Sequence, residues 1–393
     1  MQAVLLAAGK STRTYPLTVN KPKPLLKVAN KTILEHNLEQ LDGLIDEAIV
    51  VVGFKANLIK SFLNSKKFRF KIRFVEQKKQ LGTGDAVLRA KKFLRGQFIV
   101  MGADDIFNKE DIKACINHRY AVLAQKVANP KIFGTLRLKG NSIAGIAEKS
   151  TKPPSNLANT GLMVLDEKIF NIRLNKSKRG EYEVTDYINE IAKKEKVSLV
   201  KVRNYWIPIV YPWDLLTANE VLLRNIKTKI KGVLEKNIHV GGEIVFGKGT
   251  VLKEGTFIEG NVLIGENCEI GPNCYIRGPT SVGNNCKIGQ AVEVKNSIIM
   301  DNTKIPHLSY IGDSVIGENV NIGAGTIVAN LRHDNKNVKS MIKEKLIDTK
   351  RRKLGTIVGE GAKLGINTTI YPGRKIWPGK QTKPGEIVKE DIV

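Results

Sequence analysis

The chain has 393 residues, 42% of them hydrophobic, which is more than one core usually organises and enough for two packed domains. Its 64 Lys and Arg against 38 Asp and Glu leave a net charge of +26, which favours anionic partners; the basic residues are scattered, with no zinc-finger spacing, RNA-recognition signature or base-reading helix, so polyanionic small molecules fit better than nucleic acid, and a heat-adapted Lys-rich surface with no partner is the open alternative. No apolar run reaches the roughly 18 residues of a membrane span, the opening Met1-Gln2-Ala3-Val4-Leu5-Leu6 lacks the basic lead of a signal peptide, and Cys115, Cys268, Cys274 and Cys286 form no CxxC pair, so a soluble, cytoplasmic protein without structural zinc or disulfides is expected.

In chain order, the first predicted strand, Ala3-Val4-Leu5-Leu6, runs into Ala7-Ala8-Gly9-Lys10-Ser11-Thr12-Arg13. A small-residue turn after strand one is where open α/β sheets bind phosphates through free backbone N–H groups. Pro16-Leu17-Thr18 and Lys21-Pro22-Lys23-Pro24-Leu25-Leu26 follow. Amphipathic segments such as Thr32 to Leu41 then alternate with apolar strands such as Ala48-Ile49-Val50-Val51-Val52 and Phe98-Ile99-Val100-Met101, the pattern of βαβ units.

Arg13 and the Pro-bracketed Lys23, joined to that turn, resemble the signature of sugar-1-phosphate nucleotidylyltransferases. Further matches come in the family's order: Glu76-Gln77, then Gln80-Leu81-Gly82-Thr83-Gly84-Asp85-Ala86, then Gly102-Ala103-Asp104-Asp105, Gly134, Glu148-Lys149, Asn159-Thr160-Gly161 and Trp213-Asp214. They span most of residues 1–225. The resemblance implies a Rossmann-like α/β domain in which a sugar-1-phosphate oxygen attacks the α-phosphorus of a nucleoside triphosphate and expels pyrophosphate. Such chemistry needs no protein nucleophile, and charge neutralisation dominates it. Arg13 and Lys23 would supply positive charge. Ala8, Gly9, Gln77, Gly82 and Thr83 would hold the nucleotide, Gln77 with Gly82 reading a uracil edge and so arguing for UTP. Gly134, Glu148, Asn159 and Thr160 would hold the sugar and its acetamido group, and Asp104 and Asp214 would hold Mg²⁺, a hard cation that prefers oxygen ligands.

Three positions depart from the family pattern. Ser11 stands where relatives carry a second loop glycine, Ala103 replaces the glycine before the metal-binding aspartate, and Pro208 stands where many relatives have a second metal aspartate. Asp214 therefore keeps two readings, metal ligand or helix N-terminal acid favoured by the dipole.

Trp213 to Lys236 reads as a helix bridging two domains, with the boundary near residue 230: residues 1–229, then 230–393. From Val240 a period of six is unbroken through Phe246, Leu252, Ile258, Ile264, Ile270, Ile276, Val282, Ile288 and Val294, and a small or apolar residue sits four places after each, three of them the cysteines 268, 274 and 286. A helix would need apolar recurrence near every three and a half residues, which is absent. The pattern predicts a left-handed parallel β-helix whose hexapeptides form triangular coils and whose flat faces suit a homotrimer. The register slips after Met300 and resumes at Ile311, and residues 331–355 read as an inserted polar hairpin.

Lys304-Ile305-Pro306-His307-Leu308-Ser309-Tyr310-Ile311-Gly312-Asp313, with Val320-Asn321-Ile322-Gly323-Ala324-Gly325-Thr326 and Asn330, resembles the acetyltransferase domain of bifunctional N-acetylglucosamine-1-phosphate uridylyltransferases. His307 falls at the apparent slip and is expected as general base, because a protonated amine cannot attack a thioester and histidine titrates near neutrality. By the resemblance, Arg277 and Lys295 would bind the substrate phosphate, and Tyr310, Asn321 and Asn330 the sugar. The run Lys350-Arg351-Arg352-Lys353 reads as a solvated hairpin, with coenzyme A phosphates as the alternative partner. Leu331 replaces an aromatic of the bacterial pattern, and archaeal relatives look nearer.

The expected function is acetylation of glucosamine-1-phosphate, with galactosamine-1-phosphate as a second acceptor, by acetyl-CoA, then Mg²⁺-dependent uridylyl transfer from UTP to give UDP-N-acetylglucosamine. The alternative is a single-activity nucleotidylyltransferase, using UTP or dTTP with glucose-1-phosphate, whose β-helix only assembles subunits. A non-catalytic assembly subunit ranks below both, since Arg13, Lys23 and Asp104 are all present.

Overall fold

The computed structural model describes residues Met1–Val393, which divide into two compact units, Met1–Lys10 with Ile33–Pro208, and Ser11–Thr32 with Ile209–Val393. The excursion Ser11–Thr32 thus belongs with the second unit although it lies within residues 1–229.

The first unit is a nine-stranded sheet: β1 Gln2–Ala7, β2 Glu47–Val52, β3 Lys71–Glu76, β4 Gln97–Gly102, β5 Ala121–Lys126, β6 Thr135–Lys139, β7 Ser142–Ala147, β8 Leu157–Asp166 and β9 Ser198–Lys201, in the order β3-β2-β1-β4-β8-β5-β9-β7-β6. Strands β3, β2, β1 and β4 are mutually parallel, and β8 runs antiparallel between β4 and β5. Parallel strands are covered on both faces, which is why Ala48-Ile49-Val50-Val51-Val52 is a continuous apolar run with every residue at 0% exposure. Each such Val or Ile contributes about 1.5–3 kcal/mol of burial. The faces are covered by α1 Ile33–Leu41, α2 Ala56–Asn64, α3 Thr83–Ala90, α4 Lys109–Ile116 and α5 Val184–Ile191. In α1 the buried residues Ile33, Leu34, Leu38 and Leu41 share one face at helical spacing. Chain order reverses around β1, which has β2 on one side and β4 on the other, so the loops after β1 and β4 open at the C-terminal ends where such sheets bind ligands.

The second unit is a left-handed parallel β-helix with three sheets of eight, seven and eight strands, built from Lys229–Ile230 onward. Ile258, Ile276 and Val294 face one another in consecutive coils, as the six-residue period requires. The aliphatics from Phe246 to Val388 and the three repeat cysteines form one continuous core. Val240 is the exception, 36% exposed in the first coil. At two corners the backbone is left-handed in both stacked residues, Gly249 under Asn267 and Gly255 under Asn273, and a Cβ on either glycine would meet the asparagine Oδ1 at 2.2 or 2.0 Å. A side chain at either glycine would need the asparagine amide above it to turn aside, as it does where Asn285 underlies Asn302.

Two expectations need correction. The predicted bridging helix is confined to α6, Asp214–Leu223; Lys229–Ile230 and Val233–Leu234 are strands of the first coil, recruited by pairing with Val245–Phe246 and Val251–Leu252. The register slip is also elsewhere. Ile299, Ile305 and Ile311 keep the six-residue spacing, so His307 lies in regular register; the missing residues are at the corners Lys295–Ser297 and Gly312–Ser314, since Val294 pairs with Ile311 and Ile299 with Ile316. The insertion is a hairpin of Lys339–Ile342 and Lys345–Asp348 with its base closed by the Leu331–Lys353 bridge.

Candidate functional sites

In the first unit, the loops after β1 and β3 meet. Ala8 is buried, and its carbonyl accepts from Gln80 Nε2 at 2.9 Å and Phe54 N at 3.1 Å; Gly9 follows it, exposed. Gln77 is buried with its Nε2 on the Gly82 carbonyl and on Asp85 Oδ2, both at 2.9 Å, which turns its amide to a fixed angle. Gly82 has φ 106°, and a Cβ there would meet the Tyr182 carbonyl at 2.4 Å, so the α3 entry and the segment ahead of α5 approach as only glycine allows. Thr83 Oγ1 accepts from Val184 N at 3.0 Å. Gln77, Gly82 and Thr83 are therefore brought together.

The residues expected to hold the sugar form a second group. Asn159 N donates to the Gly134 carbonyl at 2.8 Å, and a Cβ on Gly134 would lie 2.6 Å from Glu148 Oε2. Burial raises the Glu148 pKa above the usual carboxylate value, opposed by Lys149 and Arg179. Thr160 is buried with its hydroxyl on the Leu123 carbonyl, so it braces β8 while Asn159 stands toward Gly134. Sequence reasoning missed Arg179, whose guanidinium lies 3.6 Å from Glu148, 3.1 Å from Glu181 and 3.2 Å from Glu183. The signal was Arg179-Gly180-Glu181-Tyr182-Glu183, a charged cluster in a glycine turn ahead of α5. Asp104 is half-buried just beyond β4; Ala103 before it is fully buried and donates its N–H to the Leu6 carbonyl. A hollow of about 510 Å³ lies elsewhere in this unit, between Gln97, His118, Arg119 and Asp166, where Arg119 already pairs with Asp166.

In the second unit, Ser11 has φ 49°, the left-handed region that a second loop glycine would occupy at no cost; its carbonyl accepts from the hydroxyls of Thr14 and Thr18 at 2.7 and 2.9 Å. Arg13 is exposed on the short 3₁₀ turn that follows. Lys23 is buried, and its Nζ donates to the Ile209 carbonyl. Asp214 Oδ2 accepts from Val210 N at 2.8 Å and Tyr211 N at 2.7 Å at the start of α6, and burial pushes its pKa up to about 6 despite those bonds and nearby Lys23 and Arg351. The carboxylate thus ties the segment ahead of α6 to its first residue.

On the β-helix, Arg277 and Lys295 are register partners in consecutive coils of the third sheet, and Glu293 pairs with Tyr310 beside them. Asn330 Nδ2 donates to the Tyr310 hydroxyl at 3.0 Å and to Asp313 Oδ2 at 2.6 Å, while Asn296 Nδ2 donates to Asp313 Oδ1 at 2.6 Å. Asp313 is buried and was missed, as was its role in joining three coils. Lys295 lies 3.9 Å from Asp313, and its pKa is lowered by burial and by the nearby cations Lys353 and Arg277. Of the basic run, Lys350, Arg351 and Arg352 bond to Asp348, Thr217 and Asn335, and Lys353 faces Lys295. His307 ends a second-sheet strand and Tyr310 opens the third-sheet strand, with Leu308 and Ser309 forming the corner between them. His307 is exposed, and its carbonyl accepts from Ser309 Oγ at 2.8 Å. Asn321 is on the second sheet between Lys304 and Lys363, one face away from Asn330.

Residues 2–225 match the nucleotidyl transferase family and residues 258–392 the GMPPB C-terminal domain. The bifunctional protein GlmU of Methanocaldococcus jannaschii is 43% identical over 379 residues, 96% of this chain and 92% of the relative. A bifunctional sugar-1-phosphate nucleotidylyltransferase/acetyltransferase of Sulfurisphaera tokodaii is 40% identical over 403 residues, 100% of this chain and 98% of the relative. Among solved structures, a putative glucose-1-phosphate thymidylyltransferase from Bacillus anthracis, in complex with a sucrose, is 27% identical with a TM-score of 0.52, over 58% of this chain and 97% of that one.

Proposed function

The chain belongs to the bifunctional GlmU proteins, enzymes that join a nucleotidyltransferase to an acetyltransferase, and from that premise we propose how its residues divide the work. Residues 1–229 carry uridylyl transfer from UTP to N-acetylglucosamine-1-phosphate, and residues 230–393 carry the preceding acetylation of glucosamine-1-phosphate.

The observation that carries the second assignment is the cationic corner of Arg277, Lys295 and Lys353. Arg277 and Lys295 stand one coil apart with Lys353 beside Lys295, and these cations, now paired in part with Glu293 and Asp313, are the donors that take the substrate phosphate. Tyr310, Asn330 and Asp313 then hold the sugar beside His307, with Asn321 reaching from the neighbouring face. The neutral amine nitrogen attacks the thioester carbonyl of acetyl-CoA while His307 takes a proton from it, and the tetrahedral intermediate collapses to the amide as the coenzyme A thiolate leaves and takes that proton from His307. His307→Ala tests this in the full chain: thiol release from acetyl-CoA with glucosamine-1-phosphate should fall by a factor of roughly 10² to 10⁴. Full retention would remove the assignment.

For the first reaction, Ala8, Gly9, Gln77, Gly82 and Thr83 hold the nucleotide, Gly134, Glu148 and Asn159 the sugar, with Thr160 bracing the strand. Arg13 and Lys23 neutralise the charge that develops on the phosphates. A bound Mg²⁺ supplies further neutralisation on the phosphate oxygens. Asp104, a half-buried hard-oxygen donor, fits as its protein ligand, since Mg²⁺ commonly takes one or two carboxylates and completes its shell with phosphate and water; the Asp214 carboxylate is engaged by backbone donors.

No helix is long and apolar enough to cross a membrane, and a cytoplasmic enzyme acting on small anionic substrates is the reading we adopt. The third sheet exposes Phe257, Ile327 and Ile387 along one face, which supports a homotrimer; light scattering of the full chain tests it.

A further inference from the structure

Ser11–Thr32 carries both cations assigned to phosphate neutralisation, yet little in it is regular: 3₁₀ turns at Thr12–Thr14 and Lys23–Leu25, and a tight hairpin of Lys27–Val28 with Lys31–Thr32 whose turn residues Ala29 and Asn30 have φ 46° and 61°. Beyond the bonds of Thr14 and Thr18 to the Ser11 carbonyl, such a segment depends for its shape on what it touches. Within its own compact unit, much of that is the β-helix.

The anchors climb one side of the prism. Asn30 Nδ2 donates to the Val282 carbonyl at 2.7 Å, Lys27 Nζ pairs with Asp301, and Lys21 Nζ lies 2.7 Å from Glu318. Val282, Ile299 and Ile316 are register partners in three consecutive coils, and Asp301 and Glu318 each stand two residues beyond the last two, so each anchor takes one coil. A fourth tie runs through α6: the Ala29 N–H donates to Asn219 Oδ1 at 3.0 Å, and Asn219 Nδ2 donates to the Pro279 carbonyl at 3.2 Å. The two carboxylates are 18% and 19% exposed, shielded enough to hold their lysines in place. Asp301 is itself pinned, its Oδ1 accepting from Asn284 N at 3.0 Å while Oδ2 takes Lys27.

We infer that Asp301 and Glu318, residues of the acetyltransferase prism, are positioning residues for uridylyl transfer: they fix Lys21 and Lys27 on either side of Lys23 and so set the place of its ammonium. The inference rests on the reading of Lys23 as a phosphate-neutralising group. A preorganised cation stabilises a transition state only where its position is held, and small displacements are costly. The acids' chemistry is confined to holding the lysines; they touch no substrate. The β-helix thereby serves the reaction of the other domain as well as its own.

The test uses the full-length enzyme and reads both reactions from each preparation, pyrophosphate release from UTP with N-acetylglucosamine-1-phosphate and thiol release from acetyl-CoA with glucosamine-1-phosphate. Asp301→Lys and Glu318→Lys should each lower kcat for uridylyl transfer by roughly tenfold, with KM for UTP changed less and acetyl transfer within about twofold. Lys27→Asp combined with Asp301→Lys should restore at least half of the lost kcat, as reversal of an ion pair does and a merely damaged fold does not. The milder Asp301→Asn and Glu318→Gln should lie between. Unchanged uridylyl kcat in both charge reversals, failure of the swap to restore it, or parallel loss of both reactions in the milder variants would overturn the inference. Lys23→Ala separates the two layers: if it leaves uridylyl transfer intact, the reading of Lys23 fails on its own account.

Discussion

Asn330 Nδ2 stands 3.0 Å from the Tyr310 hydroxyl, which ties the root of the inserted hairpin to the opening of the strand beyond the His307 corner. The same nitrogen reaches Asp313, so truncation to alanine leaves a buried carboxylate short of a donor and a tyrosine free to turn. Asn330→Ala should raise KM for glucosamine-1-phosphate by roughly ten- to a hundredfold, the range expected for a hydrogen bond to a charged group. Uridylyl transfer measured on the same sample should be unchanged.

Lys295 gives the acetyl-transfer site a pH dependence. A lysine holds an anion only while protonated, and the Lys295 pKa lies below the ordinary lysine value because of burial, with Lys353 and Arg277 adding to the depression and Asp313 opposing it. Affinity for the phosphate should therefore weaken at a lower pH than an ordinary lysine would allow. Product inhibition by N-acetylglucosamine-1-phosphate, which has no titrating amine, should weaken before the pH reaches the ordinary lysine range, and Lys295→Arg should flatten that limb because a guanidinium stays charged there.

Glu148 and Arg179 set the corresponding limb for uridylyl transfer. Glu148 accepts sugar hydroxyls best when ionised, and burial raises its pKa while Arg179 at 3.6 Å and Lys149 hold it down. As pH falls through that raised value the carboxylate is lost. Arg179→Ala should move the acidic limb of kcat/KM for the sugar phosphate to higher pH, and Arg179→Lys should move it less.

Asp214→Asn separates a brace from a metal ligand. The Asp214 pKa, pushed up to about 6, lies above its ordinary 3.8, so the folded chain binds the proton more tightly than the unfolded one. In that window stability falls as pH rises, and the asparagine variant, whose Oδ1 still accepts from Val210 or Tyr211, should lose this part of the slope in thermal melts between about pH 4 and 6. Its Mg²⁺ half-saturation should stay within about twofold of wild type, whereas Asp104→Asn should raise it at least tenfold, as loss of a carboxylate ligand implies.

The β-helix was legible because its core repeats: Phe246, Leu252 and Ile258 bury in turn on a six-residue period that neither an α-helix nor an alternating strand has. The shortened corners at Lys295–Ser297 and Gly312–Ser314 were not, since losing one residue per coil leaves the next aliphatic apolar and shifts only the partner. The break was accordingly placed at His307. Motif order marked Gln77, Gly82, Glu148 and Asn159, whose neighbourhood is local to a few loops. Asp313, Arg179 and the ties of Lys21 and Lys27 escaped notice because their partners are set by coil stacking and loop return. Trp213 to Lys236 misled through composition, as Lys229–Ile230 takes its conformation from a distant strand.

Left-handed asparagine and glycine occupy stacked corners in either order, Asn267 over Gly249 and Asn273 over Gly255 but Gly255 over Asn237. What each coil passes to the next is therefore a backbone conformation. Lengthening such a prism by duplication demands a whole turn with matched ends, so viable length variants should come in steps of complete coils. An outgrowth of arbitrary length is admissible only where the chain leaves the stack sideways, as it does between Leu331 and Lys353.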